Sequence, residues 1–140
     1  MNRREFIITA TGAAAASILP SVSFAADAVQ TAIDAFANGA SVKQGDDLSI
    51  SMPEIAENGN TVPLTVSSDS QVTDLMLLAD GNPNPNVGVF HFSPASGTVE
   101  ASTRMRLAKT QNVIALARMS DGSVMRSDTL VKVTIGGCGG

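Results

Sequence analysis

Val99-Glu100-Ala101-Ser102-Thr103-Arg104-Met105-Arg106-Leu107 is the stretch whose reading decides the fold. Val99, Ala101, Thr103, Met105 and Leu107 fall on one side of a two-residue repeat, and Glu100, Ser102, Arg104 and Arg106 fall on the other. Successive side chains of a strand point to opposite faces, so this alternation predicts a strand with one face in a core and one in water. Shorter apolar runs flank it: Leu48 to Met52, Val62 to Val66, Val72 to Ala79 and Val89 to Phe92 before it, and Val113 to Met119, Val124 to Ser127 and Leu130 to Ile135 after it. Pro63 lacks an amide donor, which points to an edge or first-residue position for its strand. The Val72 to Ala79 run is apolar almost without a break, which fits burial on both faces.

Turn-forming clusters separate these runs: Glu57-Asn58-Gly59-Asn60, Asp80 to Asn86, Ser96-Gly97 and Asp121-Gly122. Asp121-Gly122 between two apolar runs predicts a hairpin. Seven or eight short strands at this spacing predict an all-β chain, an immunoglobulin-like antiparallel β-sandwich. The inter-sheet disulfide common in such domains cannot form, because the chain has one cysteine. Ahead of the strands, Val29, Ala32, Ile33, Phe36 and Ala37 recur at helical spacing between Ala28 and Asn38. They predict one short amphipathic helix, with Gly39 as its terminating residue.

The amino end carries Arg3-Arg4 ahead of Phe6, then a small and apolar run from Thr9 to Leu19, then Ser23-Phe24-Ala25. A basic start, an apolar middle and an A-x-A-like site are the layout of a removable export signal, and the paired arginines mark the twin-arginine type. Cleavage is expected between Ala25 and Ala26. The apolar run falls short of the roughly 20 residues needed to span a bilayer, so no membrane anchor is expected and the mature protein is placed in the periplasm. The expected organisation is therefore a signal over residues 1–25, a sandwich domain with its helix over 26–135, and an arm over 136–140. Losing Arg3, Arg4 and Glu5 from 9 basic and 13 acidic residues leaves a mature net charge of −5. An acidic domain with neither Trp nor Tyr is poorly suited to nucleic acid, which calls for basic grooves and stacking aromatics.

The arm, Gly136-Gly137-Cys138-Gly139-Gly140, holds the single thiol of the chain. Four glycines cannot continue a strand or helix without a large entropic cost, so a mobile tether is expected, its thiol on the order of 10 Å from its anchor. Nothing buries Cys138, and a leftover cysteine in an exported protein points to a reactive thiol or to pairing between chains. No local group lowers its pKa, and the nearby C-terminal carboxylate disfavours a second negative charge, so activation has to come from an enzyme that receives it. His91, the only histidine, lies in no metal-ligand spacing. A pairing with Cys138 for catalysis or metal binding requires the tail to fold back onto strand residues 89–92. No nucleophile elbow or phosphate-cradling loop is present. Neither catalytic residue nor cofactor is expected. Three functional classes stay open on these residues: a carrier that works through Cys138, a structural sandwich that forms an intermolecular disulfide through it, and a small-molecule or metal-binding chaperone that uses Cys138 and His91.

Met52 to Gly59 with Val62-Pro63, Asn82-Pro83-Asn84-Pro85-Asn86-Val87, Phe90-His91-Phe92, Thr103 to Leu107, Met119 to Ser123 and the ending Val133 to Gly140 together resemble the SoxY family, the sulfur-carrier subunits of the bacterial thiosulfate-oxidising system. The resemblance covers residues 27–140. It implies a heterodimer with a second sandwich subunit of the SoxZ type, and Cys138 as the covalent sulfur carrier. It also implies three transient enzyme partners: a thiosulfate-coupling cytochrome, a sulfate-releasing dimanganese hydrolase, and a sulfane dehydrogenase carrying molybdenum and haem.

Overall fold

The computed structural model describes residues 24–136. In chain order the elements are α1 (Phe24–Ala37), β1 (Val42–Gln44), β2 (Leu48–Ser51), β3 (Ile55–Ala56), β4 (Val62–Ser68), β5 (Val72–Ala79), β6 (Asn86–His91), a 3-10 turn (Pro94–Ser96), β7 (Val99–Met105), β8 (Gln111–Met119) and β9 (Val124–Val133). They form a sandwich. One sheet runs β1-β9-β8-β5-β6, with β3 also paired to β9, and the other runs β2-β4-β7.

The alternation at 99–107 does what its pattern predicts. Val99, Ala101, Met105 and Leu107 are buried, Thr103 is half-buried, and Glu100, Ser102, Arg104 and Arg106 are exposed. The core between the sheets joins Leu64, Val66 and Ala101 of the smaller sheet to Leu75, Leu77, Val113, Ala115 and Val131 of the larger one. The remaining face of the larger sheet is covered by α1, where Val29, Ile33, Phe36 and Ala37 pack on Leu78, Ile114, Leu116 and Val124. The layers are therefore helix, sheet, sheet. β5 and β8 lie in the middle layer, which is why their sequences are apolar nearly throughout.

Several local expectations are corrected. Val124–Ser127 and Leu130–Ile135 are not two strands: β9 runs unbroken from Val124 to Val133 through the polar residues Ser127, Asp128 and Thr129, held by its pairing with β8 along its length. Two very short strands, β1 and β3, were not anticipated, and both pair with β9 in parallel. Pro63 lies on the central strand of the smaller sheet. β2 reaches only as far as Thr65, however, so at Pro63 the strand is paired on one side alone, with Arg104 of β7, as at an edge. The helix starts earlier than expected and spans the predicted cleavage junction at Ala25 and Ala26. Its stop is shared: Asn38 enters the left-handed region at φ 48 and Gly39 follows at φ 87, as the small side chain of Asn permits. At the predicted hairpin, the Gly122 amide donates to the Met119 carbonyl at 3.0 Å and Met119 donates to Ser123 at 2.8 Å. Gly122 has φ 90, the positive angle that a three-residue loop of this kind demands of its last residue.

Candidate functional site

The chain leaves the sandwich at the end of β9, where two loops clasp it. The Lys132 amide donates to the Glu54 carbonyl at 2.9 Å, and the Thr134 amide to the Ala56 carbonyl at 3.1 Å. The Thr134 hydroxyl reaches the Glu57 carbonyl at 3.1 Å. The Ile135 carbonyl accepts from Gly59, whose own carbonyl accepts from Leu107, both at 2.8 Å. From the other side, the Thr110 hydroxyl accepts from the Val133 amide at 2.9 Å. Gly136 then passes so close to the 106–110 loop that a Cβ on it would sit 2.1 Å from the Ala108 carbonyl oxygen. Gly136 was expected as the first free residue of the arm. It is instead a contact residue of the body, glycine because the backbones touch.

Under this exit lies the polar centre of the molecule. Asn82 and Gln111 are the buried polar side chains among the described residues, each 4% exposed. The Asn82 amide donates to the Arg106 carbonyl at 2.8 Å, and its oxygen accepts from the Ala108 amide at 2.9 Å and from Gln111 Nε2 at 2.8 Å. Gln111 Oε1 accepts from the Gly81 amide at 2.8 Å, and its Nε2 also donates to the Lys109 carbonyl at 3.0 Å. Two carboxamides thus satisfy the backbone of both the 80–86 and the 106–110 loops. A burial without these bonds would cost roughly 1–3 kcal/mol per group. The platform that meets Gly136 is built on this network. Sequence reasoning placed Asn82 in a turn cluster and passed over Gln111, since neither carries a signal of burial.

Gly137, Cys138, Gly139 and Gly140 lie outside the described residues, as do Arg3 and Arg4. His91 is at the opposite end of the larger sheet. It pairs with Asp74, Asp74 with Arg118, and Arg118 with Val124, the first residue of β9. The exit follows Val133, the last residue of that strand. At about 3.3 Å per strand residue the separation is on the order of 25–30 Å. The Cys138 half of a His91–Cys138 pair lies outside the described residues.

His91 has another engagement. Its Nδ1 lies 2.5 Å from Asp74 Oδ1, and Arg118 Nη1 donates to Asp74 Oδ2 at 2.8 Å. The other Arg118 nitrogen donates to the Phe36 carbonyl near the end of α1, and the guanidinium sits 4.5 Å from the centre of the Phe36 ring. Burial works to raise the Asp74 pKa, but hydrogen bonds from His91, Arg118 and Thr73 outweigh it and hold the carboxyl below its ordinary value. The cluster ties helix to sheet. Among the described residues, no three His, Cys, Asp or Glu side chains gather as a metal site.

Comparison with known proteins follows the same lines. The family model described as sulfur oxidation protein SoxY matches residues 33–138. Among solved structures, the sulfur carrier protein SoxY from Chlorobium limicola f. thiosulfatophilum is similar at 33% identity and a TM-score of 0.71, over 79% of this chain and 95% of that one. A superoxide reductase (neelaredoxin) from Ignicoccus hospitalis shares the fold at 18% identity and a TM-score of 0.55, over 61% of this chain and 79% of that one. No curated protein matches the sequence significantly.

Proposed function

The chain belongs to the SoxY family of sulfur oxidation proteins, and from that premise we propose that it carries thiosulfate-derived sulfur covalently on Cys138. The observation that supports this most directly is the placement of the chain's only thiol two residues beyond Gly136, the last described residue, which packs against Ala108 of the body. A thiol so placed can enter another protein's pocket. The chain is then a protein-bound substrate and not an enzyme.

The reactions balance as follows. Coupling joins the Cys138 sulfur to the outer sulfur of thiosulfate, releasing the thiol proton and passing two electrons to a haem-bearing partner. Hydrolysis by water then frees sulfate and leaves a persulfide, whose outer sulfur a sulfane dehydrogenase oxidises or another acceptor takes. A signal-less SoxZ-type subunit completes the carrier. Arg3 and Arg4 take it to the periplasm by the twin-arginine route, with cleavage before Ala26.

Intact mass of protein isolated without reductant from thiosulfate-grown cells tests the reading. The expected spectrum is a chain beginning at Ala26 that bears thiosulfonate or added sulfur atoms, all removed by reductant. Cys138→Ser is expected to lose the adducts and the turnover while keeping its fold. Adducts or turnover that persist in this variant would end the proposal. A population made up of disulfide-linked dimers that works only in that form would favour the structural alternative.

A further inference from the structure

At the arm end of the smaller sheet, Arg104 and Arg106 leave the chain on the same exposed face and line a cleft of about 370 Å³ with Asn84, Asn86, Val87 and Met105. No carboxylate lines it. The ion pairs among the described residues are His91–Asp74, Arg118–Asp74 and Arg126–Asp128, so neither cleft arginine has an acidic partner. Arg104 has a hydrogen bond at 3.4 Å to the Thr61 hydroxyl. Arg104 ends its side chain beside that of Arg106 in the cleft lining, two residues on and just past the end of β7, and in a chain with an excess of acidic residues no carboxylate of the cleft neutralises either. The Asn84 oxygen accepts from the Asn86 backbone amide at 3.2 Å, and its NH2 group has no hydrogen-bond partner among the described residues.

Planar guanidinium forks beside carboxamide NH2 groups match the spaced oxygens of a tetrahedral oxoanion. The place matters as much as the chemistry. The Arg106 carbonyl is held by Asn82, and Ala108, two residues on, is the residue against which Gly136 rests. The cleft thus borders the exit of the residues that carry Cys138.

We propose that this cleft binds a sulfur oxoanion. Its occupant is either a free ion such as thiosulfate or sulfate, or the sulfonate end of an adduct on the chain's own Cys138. The choice of sulfur among oxoanions rests on the carrier reading, whereas the site itself rests on the two arginines.

The test uses the mature chain with Cys138→Ser, which cannot be loaded, in complex with its partner subunit where one is needed for solubility. Sodium thiosulfate and sodium sulfate are titrated against sodium chloride at matched ionic strength, and the arginine Nε–H and asparagine side-chain signals are followed by NMR. Saturable shifts at Arg104, Arg106, Asn84 and Asn86 are expected with the oxoanions and not with chloride. Arg104→Gln and Arg106→Gln are each expected to weaken binding by about tenfold, with methyl spectra unchanged. Shifts that chloride reproduces, or that survive in the double variant, overturn the site.

Wild-type protein treated with tetrathionate then separates the sources. The Cys138 thiolate attacks a central sulfur of tetrathionate and displaces thiosulfate, which leaves Cys-S-S-SO3− on the chain. If the loaded protein shows the bound-state shifts without free ligand, the tethered sulfonate is the occupant. If it still titrates with thiosulfate, the free ion is. Failure of Cys138 to acquire sulfur in cells would remove the carrier reading and leave the titration result standing.

Discussion

Asn82 and Gly136 show how much of the exit depends on single residues. Asn82→Ala would orphan the Ala108 amide, the Arg106 carbonyl and one Gln111 donor in a buried setting. At roughly 1–3 kcal/mol per unsatisfied group, with partial relaxation, a loss of about 2–4 kcal/mol is expected. Urea unfolding of the purified variant measures it, and a change below about 0.5 kcal/mol, the size of an ordinary surface substitution, would contradict the network's role. Gly136→Ala has a different signature. The clash with the Ala108 carbonyl is relieved by lifting the last residues off the body, so the damage stays local. Amide exchange at Gly59, which donates to Ile135, is expected to speed up by about tenfold or more while the melting temperature hardly moves. Unchanged protection at Gly59 would mean that the contact is not the one that fixes the exit.

Among the elements, α1 matters most for what the sheets become. Without its Ile33 and Phe36, the outer face of β5 and β8 would present Leu78, Ile114 and Leu116 to water. The helix is held by that apolar face and by the Asp74–Arg118–Phe36 connection. The connection has a pH signature. A carboxyl whose folded-state pKa is depressed stabilises the fold above its unfolded value, here 3.8, and the contribution disappears as pH falls through the lower folded-state value. Asp74→Asn is therefore expected to cost about 1 kcal/mol at neutral pH, modest because the group is partly solvated. The difference from wild type should shrink as pH falls from 3.8 through the depressed folded-state value. Chemical unfolding of both proteins between pH 2 and 7 measures this, and a gap that stays constant across the range would show that the carboxylate charge is not what stabilises the connection.

Taken as a whole, the molecule is a sandwich with open edges at β6 and β7 and large apolar side chains left exposed at Ile55, Leu130 and Ile135. Unpaired edges invite pairing with another chain unless something covers them. The proposed SoxZ-type subunit would do so, and native mass spectrometry of the protein from its own host is expected to show a 1:1 heterodimer that survives dilution into the nanomolar range. A lone monomer over that range would count against obligate partnership. If Cys138 carries sulfur as proposed, an enzyme that receives it is expected to approach the exit, over the loops at 54–59 and 106–110.

Alternation at 99–107, the helical spacing at 28–38 and the turn residues between runs were enough to establish a β-sandwich with one helix, because side-chain periodicity records which face of each element is buried. The tail motif, with its single cysteine, could be found in the sequence alone, since it depends on no partner within the fold. Other features depended on tertiary structure. Strand pairing is made by backbone groups with no side-chain signature, so the parallel additions β1 and β3, the continuity of β9 through Ser127 and Asp128, and the open side of β4 at Pro63 had no pattern to betray them. Asn82 read as a turn residue and Gln111 carried no signal at all until loops distant in sequence closed over them. Asp74, His91 and Arg118 became one cluster only when β5, β6 and β8 came side by side. The glycine at 136 read as freedom in the chain. Only the approach of Ala108 made it a contact, because the need for a missing Cβ is decided by what stands opposite.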